Sequence, residues 1–341
     1  MLLLYISIFL LLYSVITYHK QGQEKVAFFI VFTVLVSIKT FVDVYALPDL
    51  PIYLDGYDEL STLGLSEIPA YKLVTLKCPE IGFRYILRIG AFLGDFRWSL
   101  FIISVVHVLA YIKLAKRYSP YVIISLIIFL LGSVQSFFVL RQHLAIAITL
   151  FSYPFIINRD WKRFFLLMLL AFSFHLTAVV FIPVYFLYGI NENRRMNLFL
   201  ILIFVIANVL FLFIFSFFST FFAGYEGYMD MDDGSIITVI VSACYFISYV
   251  FFLKKDVYLD GINRLTYILL ALNLIIVSVG YSFMAVNRLV MYLSVVNIVS
   301  VPITMRYIKH PIIRYAFCAS VLFILIYQFS SGSNAEYLNA I

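Results

Sequence analysis

The sequence predicts an all-α polytopic membrane protein of about 10–12 transmembrane helices with one large loop on the outer side. Three observations carry that expectation. Of the 341 residues 64% are hydrophobic and only 12% are charged. The apolar residues fall in successive blocks long enough to cross a bilayer. Charge collects between the blocks and is sorted by sign. The whole chain, 1–341, reads as a single membrane domain, since no linker, low-complexity tract or internal repeat divides it.

Residues 2–18 are apolar, with no positive charge before them and Lys20 and Lys25 after them. That order is the reverse of a secretory signal, so the segment is expected to stay as a span with its N-terminus outside. Val26 to Val42 returns the chain to the outer face. The stretch from 43 to 97 is too charged to span and is punctuated by Pro48, Pro51, Pro69 and Pro79. It reads as a long outer loop with short helices lying on the membrane. Further spans are expected at about 98–112, 121–135 and 142–157, and then at about 198–222, 236–253, 265–283, 289–305 and 312–329.

Between them, Phe164 to Ile190 is one apolar block of 27 residues. As a single helix it would run roughly 40 Å against a hydrocarbon core of roughly 30 Å. A break near His175 is the expectation, because Pro183 and the polar run Ser173 to Thr177 both favour one. A segment that enters, breaks and returns also leaves Arg194 and Arg195 among the inner basic loops. With this layout 16 of the 24 basic residues but only 5 of the 18 acidic residues face inward. That asymmetry follows the positive-inside rule and places the chain in a cell inner membrane with its N-terminus periplasmic.

The formal net charge of +6 does not point to nucleic acid, because the basic residues are scattered between spans and form no stripe. Anionic lipid headgroups are the expected partner. Cys78, Cys244 and Cys318 are too far apart for a disulfide framework or a metal site. The acidic loop 223–235 holds Asp230, Asp232 and Asp233 but lacks the spacing of a calcium loop, so no metal is expected. Neither a nucleotide-binding nor a dinucleotide-binding motif is present, and no cofactor is expected.

Polar residues inside or beside spans mark the candidate site, since an uncompensated Arg at mid-membrane costs about 2.5–3.5 kcal/mol on insertion scales. Arg141, Gln142 and His143 open one span, and His175 interrupts another. Arg97 and Arg288 stand at the outer ends of two more. Arginine at that depth suits an anionic group, because its planar fork gives paired hydrogen bonds to phosphate and keeps its charge. A helix-end arginine snorkelling to headgroups is the competing role. His175 is a candidate proton acceptor, as free imidazole titrates near pH 6.5, or else an interhelical histidine. Asp49, Asp55 and Glu80 compete with it as bases or are solvated loop acids. Tyr53 and Tyr292 suit stacking on a sugar ring or an interfacial belt, while His107 and His143 read as structural.

Five short elements in order resemble the EpsG family of Wzy-type polysaccharide polymerases. They are Asp49-Leu-Pro-Ile-Tyr53, Glu80-Ile-Gly-Phe83, Arg141-Gln142-His-Leu-Ala145, Phe174-His175 and Asn287-Arg288-Leu-Val-Met-Tyr292. The likeness covers about residues 25–305. Two departures stand out: Ile81 follows Glu80 where the family often has Pro, and only Lys39 is available as the basic residue before the first element. The resemblance implies a glycosyltransferase at the periplasmic face of the inner membrane. It would transfer a growing glycan from a polyprenyl-pyrophosphate carrier to a lipid-linked oligosaccharide repeat unit, for O-antigen, capsule or exopolysaccharide. In that reading Arg141, Gln142, Arg288, Arg97, Tyr53 and Tyr292 bind pyrophosphate and sugar, and His175, Asp49, Asp55 or Glu80 takes the proton. A GT-C-like arrangement and a chain-length-regulating co-polymerase as partner also follow only from the resemblance. Two other classes stay open on the sequence: a flippase or transporter of lipid-linked oligosaccharide, and another membrane transferase such as an O-antigen ligase or O-acyltransferase.

Overall fold

A computed structural model of the chain describes residues 2–16, 23–76, 79–190, 195–204, 206, 236–259, 261–280 and 284–330. The acidic loop 223–235, Cys78, Arg194 and most of the expected span 198–222 lie outside these. The described residues are helical with no strand among them, and the protein is an all-α, multi-pass membrane protein. Among the described residues five helical stretches are long and apolar enough to cross a membrane: Phe96–Tyr118, Ile236–Tyr258, Ile262–Val279, Arg288–Tyr307 and Pro311–Ser330.

The chain begins with α1 (Leu2–Ile16) and α2 (Gln23–Phe41). The loop then folds as expected into short helices, α3 (Leu50–Ser61) and α4 (Ile81–Phe92), packed on each other. Much of its charge is consumed in holding it together. The Glu59 carboxylate accepts from the Val74 and Thr75 amides at 2.8 and 2.9 Å. Arg84 donates to the Tyr71 carbonyl at 2.7 Å, and Arg88 to that of Leu63 at 2.7 Å. These bonds satisfy backbone groups that the irregular stretch between the two helices would otherwise leave open.

Helix α5 (Phe96–Tyr118) starts at Asp95, whose side chain accepts from the Arg97 amide at 2.8 Å, and ends with Lys116 and Arg117 in its last turn. Both ends therefore complement the helix dipole. Then come α6 (Val122–Leu131), a 3₁₀ turn at Val134–Phe137 and α7 (Leu140–Phe151). The latter begins ahead of the expected position, which puts Arg141 in its first turn. Pro154 sits at the start of the next short helix, α8 (Tyr153–Ile157), where its missing amide costs least. Helix α2 packs on α5, α5 on α7 and α7 on the helix Trp161–Phe174 that follows, so α7 lies in the interior.

The long apolar block breaks where the sequence suggests. Helix α9 (Trp161–Phe174) stops at His175, which is extended at φ −161° and ψ 126°. A 3₁₀ stretch, Leu176–Phe181, leads to α10 (Ile182–Tyr188) with Pro183 in its first turn. The block also returns to the end it came from. Phe164 stacks on Tyr185 at 4.7 Å between ring centroids, and the Tyr185 hydroxyl donates to the Arg159 carbonyl at 3.0 Å. A hairpin with His175 near its apex resolves the length mismatch. The remaining helices are α11 (Arg195–Phe204), α12 (Ile236–Leu253), α13 (Ile262–Gly280), α14 (Met284–Ser294), α15 (Asn297–Tyr307) and α16 (Pro311–Ser330).

Candidate active site

The hairpin apex, the start of α7, the start of α14 and the underside of the outer loop meet around a cavity of about 330 Å³. Asp49, Tyr53, Arg141, Gln142, His175 and Arg288 line it, six of the residues singled out from sequence, along with Ile52, Thr75, Leu76 and Val139.

Glu80 organises this wall from behind. Its side chain is 3% exposed, yet it bonds Arg141 Nη1 at 2.8 Å through Oε2 and His175 Nδ1 at 3.0 Å through Oε1. Removing a carboxylate from water costs several kcal/mol, and the pairing with Arg141 and His175 offsets that cost. An ionised carboxylate can only accept, so the His175 proton sits on Nδ1 and the lone pair of the neutral ring falls on Nε2. That nitrogen is buried and has no hydrogen-bond partner among the described residues.

Each short element has a local job in bringing these groups together. In Glu80-Ile-Gly-Phe83 the glycine lets α4 abut the hairpin: a Cβ on Gly82 would lie 2.9 Å from the Ser173 carbonyl oxygen. Only a bare backbone allows that approach, which carries Glu80 to His175. Phe83 is fully buried and packs on the Tyr53 ring at 5.2 Å. In Asp49-x-x-x-Tyr53 the two residues are one helical turn apart, joined by the Tyr53 amide donating to the Asp49 carbonyl at 3.2 Å. The Arg141 guanidinium lies 5.9 Å from the Tyr53 ring centroid, within cation–π range. Gln142 donates its side-chain amide to the Arg288 carbonyl, tying α7 to α14 beside the cavity. Tyr292, fully buried, is one layer deeper and accepts from Thr177 at 3.3 Å, bracing the stretch after His175.

Electrostatically the cavity is a cationic site edged by one carboxylate. Burial pushes the Asp49 carboxyl above its usual range, and the Arg288 and Arg141 charges oppose that rise. Two predicted residues stand elsewhere. Asp55 is exposed on α3. Arg97 is exposed at the start of α5, with its guanidinium 5.6 Å from the Phe41 ring centroid. Neither lines the cavity, because helix phase turns Asp55 away from the Tyr53 face and Arg97 snorkels along α2. Lys39 is also outside it, buried and donating to the Ser136 carbonyl and hydroxyl at 2.6 Å each. Thr75 carries no signal in the sequence and reaches the cavity through the grip of Glu59 on its loop. Among the described residues no three His, Cys, Asp or Glu side chains gather as metal ligands would.

A family model for the EpsG family matches residues 26–340. The chain belongs to the EpsG family. All five elements that bring the cavity together fall inside the matched region, so the family likeness spans both the membrane helices and the loop above them. No curated protein and no solved structure matches the chain.

Proposed function

We propose that this EpsG-family protein is a polysaccharide polymerase that moves a growing glycan from a polyprenyl diphosphate to a hydroxyl of a lipid-linked repeat unit. Family membership points to a polymerase-like role in polysaccharide biosynthesis. The observation that carries the finer reading is the gathering of Arg141, Arg288, Asp49 and a Glu80-oriented His175 on one cavity at the loop end of the bundle. The loop-charge bias supports a periplasmic position for that end, at the inner membrane.

In this reading Arg141 and Arg288 bind the diphosphate oxygens. The acceptor oxygen attacks the anomeric carbon, the bond from that carbon to the diphosphate breaks, and the lipid diphosphate departs with the electron pair. Negative charge grows on it as it leaves, so guanidinium groups fixed where that charge develops stabilise the transition state more than the ground state. His175 Nε2 takes the acceptor proton, and the resulting imidazolium is stabilised by Glu80, as carboxylates stabilise such ions elsewhere. Both oxygens of Glu80 are engaged by Arg141 and His175, which leaves it to orient them. Asp49 holds the acceptor sugar or shares the base role, and Tyr53 offers a ring face for it.

The test is reconstitution of the full chain with a purified lipid-linked repeat unit. Wild type should yield a ladder of lengths, and Arg141→Ala should leave single repeats at an undiminished protein level. A full ladder from Arg141→Ala removes that residue from the reaction. A flippase would instead move the repeat across the bilayer without lengthening it, and a ligase would transfer finished chains to a lipid core.

A further inference from the structure

Between α6 and α7 the chain leaves the α-helix at residues 132–139, and it does so inside the bundle: Ser133, Val134, Ser136 and Phe137 are all buried. Backbone that is not helical at this depth must find its partners within the protein. The turn is also the lead-in to the candidate site. The Val139 amide donates back to the Gln135 carbonyl at 3.0 Å, the Val139 carbonyl accepts from the His143 amide at 3.2 Å, and Val139 itself lines the site cavity. Turn and helix start are therefore one hydrogen-bonded unit, with Arg141 in the first turn of α7. A shift of the turn carries Arg141 with it.

Packing does not fix the turn on every side. Gly132, Ser133, Gln135 and Ser136 border a second cavity of about 340 Å³ on the His143 side of α7, which leaves space for the turn to move into. What ties it down comes from the last turn of α2. Lys39, 3% exposed, donates through Nζ to the Ser136 carbonyl and to the Ser136 hydroxyl at 2.6 Å each, and that hydroxyl donates onward to the Ser133 carbonyl. The same Nζ stands 4.6 Å from the Phe137 ring centroid. One side chain thus holds the 3₁₀ turn at its middle and, through Ser136, at its start. Among the described residues no carboxylate pairs with Lys39, so it does not serve to balance an acid. A methionine of similar length would be cheaper to bury, and the donation to Ser136 is what lysine adds. We propose that Lys39 is a positioning residue for the reaction: by fastening the turn ahead of α7 it holds Arg141 where the diphosphate binds. The inference rests on the role given to Arg141 above, and its test separates the two.

The full chain, reconstituted with a purified lipid-linked repeat unit, is assayed for extension with and without Lys39→Met, each in the wild-type and the Arg141→Ala background. Lys39→Met should lower kcat about 10- to 100-fold, the scale of displacing a catalytic group by about 1 Å, and leave KM within about threefold. In the Arg141→Ala background the same substitution should cost less than about twofold, because the group it positions is gone. A wild-type rate from Lys39→Met, or an equal loss in both backgrounds, overturns the inference. Ser136→Ala removes one of the two acceptors and keeps the lysine. It should slow extension about threefold with the same dependence on Arg141, and it replaces Lys39→Met in both assays if that variant does not fold. A second readout needs no catalysis. In a chain with Cys78, Cys244 and Cys318 replaced by serine, Val139→Cys is labelled by a membrane-impermeant maleimide. Lys39→Met should speed that labelling more than about threefold, since a freed turn opens more often, while Thr75→Cys on the facing loop wall keeps its rate. An unchanged rate at position 139 overturns the positioning role. A faster rate there together with a full ladder from Arg141→Ala keeps Lys39 as the holder of the turn and removes the diphosphate clamp instead.

Discussion

The two faces of α7 hold the same kinds of side chain in opposite states. On one, Arg141 and His175 are bound to a single buried carboxylate, and each has a fixed orientation. On the other, His107 and His143 stand beside a cavity of nearly equal volume, with no carboxylate in its described wall and no hydrogen bond to their rings among the described residues. The difference teaches what Glu80 contributes. A basic or imidazole group becomes a preorganised tool when a carboxylate fixes it.

The sharpest way to break that contrast is Glu80→Ala. It should strand a guanidinium and an imidazole beside the same cavity and cost about 3–5 kcal/mol of stability, measured by denaturant titration in detergent, along with all polymer formation. The pair H107F and H143F removes no ion pair and should leave thermal stability far closer to wild type. Next in size, Arg141→Ala and Arg288→Ala should each slow chain extension about 100- to 1,000-fold, the scale of losing one fixed charge partner of a developing anion. Gly82→Val should act through position alone. Its side chain would meet the Ser173 backbone, push α4 away from the hairpin and lower extension rate by moving Glu80 off His175. A variant with unchanged rates would show that the close approach is not needed.

Smaller effects test the edges of the site. The Asp49 carboxyl is raised by burial, so the folded protein holds that proton more tightly than the unfolded chain. Stability should therefore fall slightly as pH rises from about 4, the ordinary aspartate value, through the folded pKa. Asp49→Asn should flatten that slope in melting curves taken across the range, and a retained slope would assign it to another group. Smallest of all, Arg97→Ala should keep extension within about twofold of wild type, as an exposed change of roughly 0.5 kcal/mol would. A larger loss would bring Arg97 back into the site.

Legibility differed between the fold and the site. The hairpin was readable, because 27 apolar residues interrupted by His175 and followed by Pro183 do not fit one crossing. So were most of the cavity residues, since polar groups in apolar blocks are costly and must find one another. Glu80 was readable only as one acid among many in a charged loop. Nothing local marks it as the carboxylate that reaches residues 61 and 95 positions away. Asp55 and Arg97 looked equally suitable, but helix phase and snorkelling turned them outward. His107 and His143 read as structural, and the structure packs them edge to face against each other.

By itself the sequence determined that this chain is helical, lies in a membrane and breaks at His175, since those outcomes depend on the local period and length of apolar blocks and on what a bilayer excludes. The tertiary structure decided which charges meet. Pairing is a property of side chains brought together from helices distant in the chain, and only the packing of α4, α7, α9 and α14 sets those distances.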